Sequence, residues 1–378
     1  MKAVIAIDSF KGSLSSIEAG NAVKKAFENV FKGSACVFPV ADGGEGTVDT
    51  LVSALNGEKI NISVTGPLGE SVEAFYGIIN SGKTAVIEMA SASGLPMVPE
   101  NKRNPLNTTT YGVGELIKDA VKRGVRDFVI GLGGSATNDG GLGMLSALGV
   151  EFKDQNNNKC GIFGRDLFNI KNISTDNVLK ELKECNFRAA CDVTNPLCGD
   201  IGASAVFGPQ KGADEKMVKD LDSALLNFSE ICKSAVNKDC ANTPGAGAAG
   251  GLGYALMAFL NAKLEPGIDI VLGLLNIEEE IKKADIVITG EGRLDFQTVM
   301  GKAPGGVAKM AKKHNLPVIA FSGSIGKGAE KCNDGGIDAF FPIVRSVVTL
   351  EEAMKKENAE NNLYNTSLQV FNTIKAFK

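Results

Sequence analysis

Glycine-rich stretches interleaved with acids, bases and amides mark where this chain could do chemistry. Three of them match phosphate-loop patterns, in which backbone N–H groups approach a ligand closely and a helix N-terminus adds partial positive charge. Gly77-Ile-Ile-Asn-Ser-Gly82-Lys83-Thr84 fits G-x-x-x-x-G-K-[ST]. That pattern needs a strand before it and a helix after it. Here Thr84-Ala-Val-Ile-Glu-Met continues as strand, so the stretch reads as a hairpin with its turn at Asn80-Ser81-Gly82. Gly131-Leu-Gly133-Gly134-Ser135-Ala136 follows an apolar strand, and a helical stretch from Gly140 to Gly149 comes after Thr137-Asn138-Asp139. It reads as a nucleotide-phosphate loop, with a packed strand–helix turn as the alternative. Gly245-Ala-Gly247-Ala-Ala-Gly250-Gly251-Leu-Gly253 opens a helix with small residues. It offers either a second amide-rich helix start or close packing between helices.

Four polar loops stand at the ends of apolar runs. They are Asp8-Ser9-Phe10-Lys11-Gly12-Ser13, Ala41-Asp42-Gly-Gly-Glu45-Gly, Asp192-Val-Thr194-Asn195-Pro196 and Gly290-Glu291-Gly-Arg293-Leu-Asp295-Phe-Gln297. Gly301-Lys302 and Ser322-Gly-Ser324 add to them. In parallel α/β sheets, ligands bind beyond the carboxyl ends of strands, so such loops can converge. Phosphoryl transfer fits these residue types. It needs glycine-rich loops, lysines or arginines on the phosphates, carboxylates for Mg²⁺ and an aspartate to orient the attacking hydroxyl. It needs no histidine, and the chain has one, His314, at the end of a helical stretch where capping is the simpler role. One imidazole excludes multi-histidine metal sites and argues against a nucleophile–histidine–acid triad.

The elements that must position these loops follow from hydrophobic periodicity. Ala3–Ile7 and residues 36–40 read as buried strands, each followed by a helical stretch, which implies a parallel sheet with right-handed crossovers. Ser15-Ser16-Ile17-Glu18 has capping-box spacing. Between 59 and 90 the pattern changes to alternating strands and hairpin turns, an antiparallel patch. Helices are expected near 110–123, 217–236 and 254–261. After 283 strands and helices alternate again: a strand at 286–289, a helix at 305–313, strands at 317–321 and 339–343, and a largely helical 350–377. The expected fold is therefore α/β in two domains. Residues 1–58 plus 283–378 form a Rossmann-like parallel sheet built from both chain ends, and 59–282 form an inserted mixed α/β domain.

Composition narrows the function classes. At 378 residues the chain suits two domains. A net charge of −4 gives no electrostatic footprint for nucleic acid or an anionic membrane. No apolar run reaches the roughly 18 residues of a membrane span. The eight scattered cysteines, with no C-x-x-C, read as reduced and mostly buried thiols of a cytoplasmic protein. Glycine is in excess, at 45 of 378 residues, against a usual share of about 7%.

Taken in order, the motif blocks resemble the bacterial-type glycerate kinases (glycerate 2-kinase family, type 1). The blocks are DSFKGSLS from Asp8, PVADGGEGTV from Pro39, EMASASGL from Glu88, TTTYGVGELI from Thr108 and GLGGSATNDGGLGML from Gly131. CDVTNPLCG from Cys191, VFGPQKGA from Val206, PGAGAAGGLG from Pro244, TGEGRLDFQT from Thr289 and GKAPGGVA from Gly301 complete them. The resemblance implies two α/β domains with the active site in the cleft between them. It also implies ATP-dependent phosphorylation of D-glycerate to 2-phospho-D-glycerate, with ATP and Mg²⁺. The chain departs from the family pattern at Met300, where a histidine is more usual before the Gly-Lys pair.

Within that reading, chemistry distributes the roles. Gly133, Gly134, Ser135 and Asn138 would line the nucleotide phosphates, with Gly247 and Gly250 at a second helix start. Lys11, Arg293 and Lys302 would neutralise the substrate carboxylate and the transferred phosphoryl, Arg293 suiting a bidentate clamp. Asp42 and Glu45 would hold Mg²⁺. Asp192 would be the base at the acceptor hydroxyl, with Asp295 in reserve. D-glycerate is the expected partner, nucleic acid and membrane are not, and a homodimer is left open. Two other classes compete. One is a nicotinamide-dependent oxidoreductase using the loop 131–136, with Glu151 on the ribose. The other is a non-catalytic nucleotide sensor.

Overall fold

The computed structural model describes residues 1–377. Its strands, in chain order, are β1 (Lys2–Ile7), β2 (Ser34–Val37), β3 (Glu58–Thr65), β4 (Ser71–Ile79), β5 (Thr84–Glu88), β6 (Asp127–Gly131), β7 (Glu151–Lys153), β8 (Asn172–Ser174), β9 (Asn186–Ala190), β10 (Lys263–Glu265), β11 (Ile286–Leu294), β12 (Val318–Ile325) and β13 (Ala339–Pro342). They belong to two compact units. The first comprises Met1–Asp42 and the chain from Pro266 onward, and the second comprises Gly43–Glu265.

The first unit carries a five-stranded, all-parallel sheet in the order β13-β12-β11-β1-β2. Counted within the unit this is the 2-1-3-4-5 order of the flavodoxin-like doubly wound sheet, whose strand order reverses between its first and third strands. That switch point falls between β1 and β11. Sheets covered on both faces read as continuous apolar runs, and Ala3–Ile7 is buried throughout. The helix Ser16–Phe31 starts on a complete capping box between Ser15 and Glu18 and ends at Lys32 in the left-handed conformation. Phe27 from this helix, Phe321 from β12 and Phe371 from the C-terminal helix Lys356–Ala376 are fully buried. Phe371 meets the other two rings edge-on, at centroid distances of 5.4 and 6.2 Å.

The second unit carries a six-stranded mixed sheet, β10-β9-β6-β5-β4-β3, and a small β7–β8 ribbon. β10, β9, β6 and β5 run parallel, and β5-β4-β3 is an antiparallel meander. The P-loop-like stretch spans β4, a turn and β5. Asn80, Ser81 and Gly82 all have positive φ, so the lysine pattern there belongs to a hairpin.

Some element bounds differ from those read in the sequence. The helix Thr47–Ala54 packs on β4 and β5 and goes with the second unit, while the helices Gly267–Leu274 and Glu278–Ile281 pack on the helix Ala303–Lys313 and go with the first. The units therefore divide at 42/43 and 265/266, against the expected 58/59 and 282/283. β11 runs to Leu294, beyond the expected end at Thr289, because Glu291 and Arg293 pair in register with Ser322 and Ser324 of β12. All eight cysteines are free thiols; Cys232, Cys240 and Cys332 are buried and the others partly so. No helix among the described residues is long and apolar enough to cross a membrane.

Removing the Phe371 ring leaves a void between two helices and the sheet. Phe371→Ala is expected to destabilise the first unit by roughly 3–5 kcal/mol, read by urea denaturation. A loss below about 1 kcal/mol would mean that the C-terminal helix is not part of that core.

Candidate active site

At the carboxyl ends of β1 and β11 lies a cavity of about 630 Å³, lined entirely by residues of the first unit. Asp8 follows β1 directly, and its backbone N–H donates to the Gly290 carbonyl of β11 at 2.9 Å. Residues 10–14 then close a tight loop through the N–H groups of Ser13 and Leu14, both donating to the Phe10 carbonyl. Gly12 takes the positive φ that this turn demands, and Lys11 stands exposed beside it. The Ser16 hydroxyl donates to the Ile7 carbonyl and accepts from the Val40 N–H. It thereby ties the segment leading to Asp42 to the end of β1. Lys11, Asp42, Arg293 and Lys302 all line the cavity. Asp295 sits behind them, 3.8 Å from Arg293 Nε and 4.0 Å from Lys302 Nζ.

The electrostatics of this end are unusual. Burial, and then the charge of Asp42, push the Asp8 carboxyl up to about 7, with Glu291 adding to the rise. A hydrogen bond from the Ser9 N–H and the charge of Lys11 oppose it. Burial also raises Glu291, which accepts a hydrogen bond from Thr298 Oγ1 at 2.6 Å and lies 3.9 Å from Lys302 Nζ. The ion pairs of Arg293 and Lys302 lie at 3.8–4.0 Å, longer than charge-assisted hydrogen bonds. These cations are near the acids without being locked to them, so they can turn to an anionic ligand. Lys302 is also the N-cap of the helix Ala303–Lys313, whose free N–H groups add positive potential.

The other expected site residues lie in the second unit, and the structure gives several of them packing roles. Gly133 and Gly134 are exposed after β6, whereas Ser135, Asn138, Gly247 and Gly250 are buried. Ser135 Oγ accepts from Lys211 Nζ at 2.9 Å. Asn138 Nδ2 donates to Ser204 Oγ at 2.8 Å. A Cβ on Gly247 would lie 2.3 Å from the Pro196 carbonyl oxygen, and one on Gly250 2.0 Å from that of Thr137. Of the six expected phosphate-loop residues, only Gly133 and Gly134 are exposed. Glu45 is exposed just before the helix Thr47–Ala54, and Asp192 is exposed in the segment after β9. The oxidoreductase reading loses its geometry as well. Residues 132–141 intervene between β6 and the helix Leu142–Ala147, and Glu151 accepts from Asn177 in the β7–β8 ribbon.

Five buried charged residues, Asp8, Glu88, Asp139, Lys211 and Glu291, were not among the sequence-based site assignments. Asp8 and Glu291 stand in the quoted loops, and the apolar run ending at Asp8 was the signal for the first. Lys211 carries no such signal, since a lysine before glycine reads as surface. It is nonetheless buried, with Nζ donating to Ser135 Oγ and to the Thr137 carbonyl. Burial draws its ammonium down to about 7, against the attraction of Asp139. Asp139 accepts from the N–H groups of Thr110, Gly141 and Gly143 and from the Thr110 hydroxyl. Together Lys211 and Asp139 fix the loop 133–143 from beneath. His314 caps its helix and pairs with Glu278 at 2.9 Å.

The sequence profile of the Glycerate kinase family matches residues 3–375. A curated glycerate 2-kinase of Escherichia coli K12 is 50% identical, over 99% of this chain and 98% of that one. A glycerate kinase of Haemophilus influenzae is 49% identical, with both chains covered completely. A crystal structure of a protein from Salmonella typhimurium LT2 superposes with a TM-score of 0.91 at 46% identity, covering 100% of this chain and 98% of the other.

The raised Asp8 carboxyl has a sign that can be tested. Its folded form holds a proton between about pH 4 and pH 7 that the unfolded chain releases, so its contribution to stability falls as pH rises through that window. Asp8→Asn cannot ionise. The variant's melting temperature relative to the parent is expected to climb by on the order of 2–4 °C between pH 5 and pH 8, followed by calorimetry. A difference independent of pH would show that Asp8 titrates normally.

Proposed function

The chain belongs to the glycerate kinase family, and we propose that it transfers the γ-phosphoryl group of ATP to the 2-hydroxyl of D-glycerate. The observation that carries this reading is the cavity at the β1–β11 switch point, where loosely held cations face a carboxylate poised near neutrality. Arg293 and Lys11 receive the glycerate carboxylate, and Lys302 neutralises charge on the transferred phosphoryl. Asp8 accepts the hydroxyl proton as the new O–P bond forms and the bond to the ADP oxygen breaks. A base with pKa near the working pH is the efficient one, which favours Asp8. The transition state is loose, so the base chiefly orients the hydroxyl.

Mg²⁺ fits the donor set. Asp42 and Glu291 both raise the Asp8 carboxyl by their charge, a repulsion that a divalent cation relieves. Among the described residues no three acidic, histidine or cysteine side chains form a metal-holding group, which suits an ion that takes one or two carboxylates and completes its shell with phosphate oxygens and water. Asp42 would be a ligand, with Glu45 retained as a second candidate, which leaves Asp8 free of the ion to act on the hydroxyl. The ion would offset the negative charge of the phosphates. The exposed amides of Gly133 and Gly134 remain candidates for a phosphate contact. A reaction on a small hydroxy acid suits an enzyme of the cytoplasm.

Coupled ADP release with D-glycerate, L-glycerate and glycerol, followed by ³¹P NMR of the product, tests the activity. Turnover is expected with D-glycerate and phosphorus on C2; none with either enantiomer would overturn the reading. For the base, Asp8→Asn is expected to lower kcat by about 10²–10⁴, with Asp192→Asn within about tenfold of the parent. The reverse order would return the base to the second unit.

A further inference from the structure

The cavity of the first unit has a second character that the phosphoryl chemistry leaves unused. Its far wall is formed by the segment after β13, which contributes Val344 and Val348, and by the helix Leu350–Met354, which contributes Leu350 and Met354. All four side chains are more than a third exposed, and Leu350 is 76% exposed. Scattered apolar residues on a surface need no explanation, but a contiguous set facing a cavity marks a binding surface. Size points the same way. A three-carbon acid fills only a small part of 630 Å³, a volume in the range that holds drug-sized ligands. Asn362, on the C-terminal helix, also lines this end. Its amide offers a donor and an acceptor side by side, the pattern that complements the edge of adenine.

We infer that this apolar end is the nucleoside subsite of the phosphoryl donor: a purine base lies against Val348, Leu350 and Met354, its edge is read by Asn362, and its phosphates run toward Lys11 and Lys302. The inference rests on the ATP-dependent reading above and relocates the donor's base to the first unit. Aliphatic side chains contact the faces of the planar ring and remove them from water. The cations at the opposite end receive the polyanion. The β1–β11 switch point is where doubly wound sheets of this strand order take mononucleotides, and the apolar wall extends that position outward.

The test uses the full chain. Leu350→Glu and Val348→Glu place a charge on exposed positions, so folding is not at stake. Each is expected to raise KM for ATP about tenfold or more, with KM for D-glycerate changed by less than about threefold. Photolabelling with 8-azido-ATP is expected to mark peptides within residues 343–362. Asn362→Leu should narrow the preference for ATP over GTP. An unchanged KM for ATP, a rise confined to KM for D-glycerate, or a label on the loops 131–139 or 245–251 would overturn the inference. So would a change in oligomeric state without a change in KM, which would make the patch a self-association face. If the parent labels within 343–362 yet phosphorylates neither enantiomer of glycerate, the acceptor assignment has failed while the nucleoside subsite stands.

Discussion

Val4 pairs with Val287 and Ile5 with Ile288 at the centre of the five-stranded parallel sheet, so the chain must come back to its own beginning after nearly three hundred residues. Everything at the candidate site hangs on that pairing. It sets Asp8, at the end of β1, beside Glu291 in β11. It also puts the reversal of strand order between them, leaving a crevice because the connections depart to opposite sides. Closing so long a loop costs chain entropy that grows only slowly with length. The apolar strands Ala3–Ile7 and Ile286–Thr289, fully buried, offset it through burial on both faces of the sheet.

The acids at this crevice are arranged against stability. Asp8 and Glu291 are buried and carry like charge near Asp42, and burial raises both carboxyls. Lys302 Nζ stands 3.9 Å from Glu291, while the exposed Arg293 lies 3.8 Å from Asp295 instead. A pair at that distance falls short of a charge-assisted hydrogen bond, and a bound cation would relieve the crowding of carboxyls that raises Asp8. Stability traded for preorganisation is a mark of functional rather than structural acids.

Much of this could be read in the residues. The apolar run ending at Asp8, the capping box at Ser15 and the hairpin behind the P-loop-like lysine all follow from local rules, and the structure carries each one. The extension of β11 through Gly290-Glu291-Gly292-Arg293 could not be read so. Glycine and glutamate are poor strand formers, and only the register with Ser322 and Ser324 holds them extended. Lys211 was equally hidden, because a lysine on a turn reads as solvated until its neighbours are known. The unit boundaries were obscured for a related reason. The helix Thr47–Ala54 takes its partners, β4 and β5, from later in the chain, including a hydrogen bond from its Val48 N–H to the buried Glu88 carboxylate.

The glycine excess divides into two physical classes that spacing alone does not separate. Gly247 and Gly250 belong to a phosphate-like pattern, yet both are buried, and a methyl group on either would collide with a carbonyl oxygen. The Gly140 N–H donates to the Gly250 carbonyl, so the loops at 133–143 and 245–251 are bonded to each other. Positive φ at Ala249, Gly250 and Gly251 delays the regular helix until Leu252. Gly133 and Gly134 are the other class, exposed and with no Cβ to hold a ligand away. A glycine motif records that two groups must come close. Whether the second group is a phosphate or the chain's own carbonyl depends on what lies within about 3 Å of the missing Cβ, and for Gly247 and Gly250 that neighbour is protein.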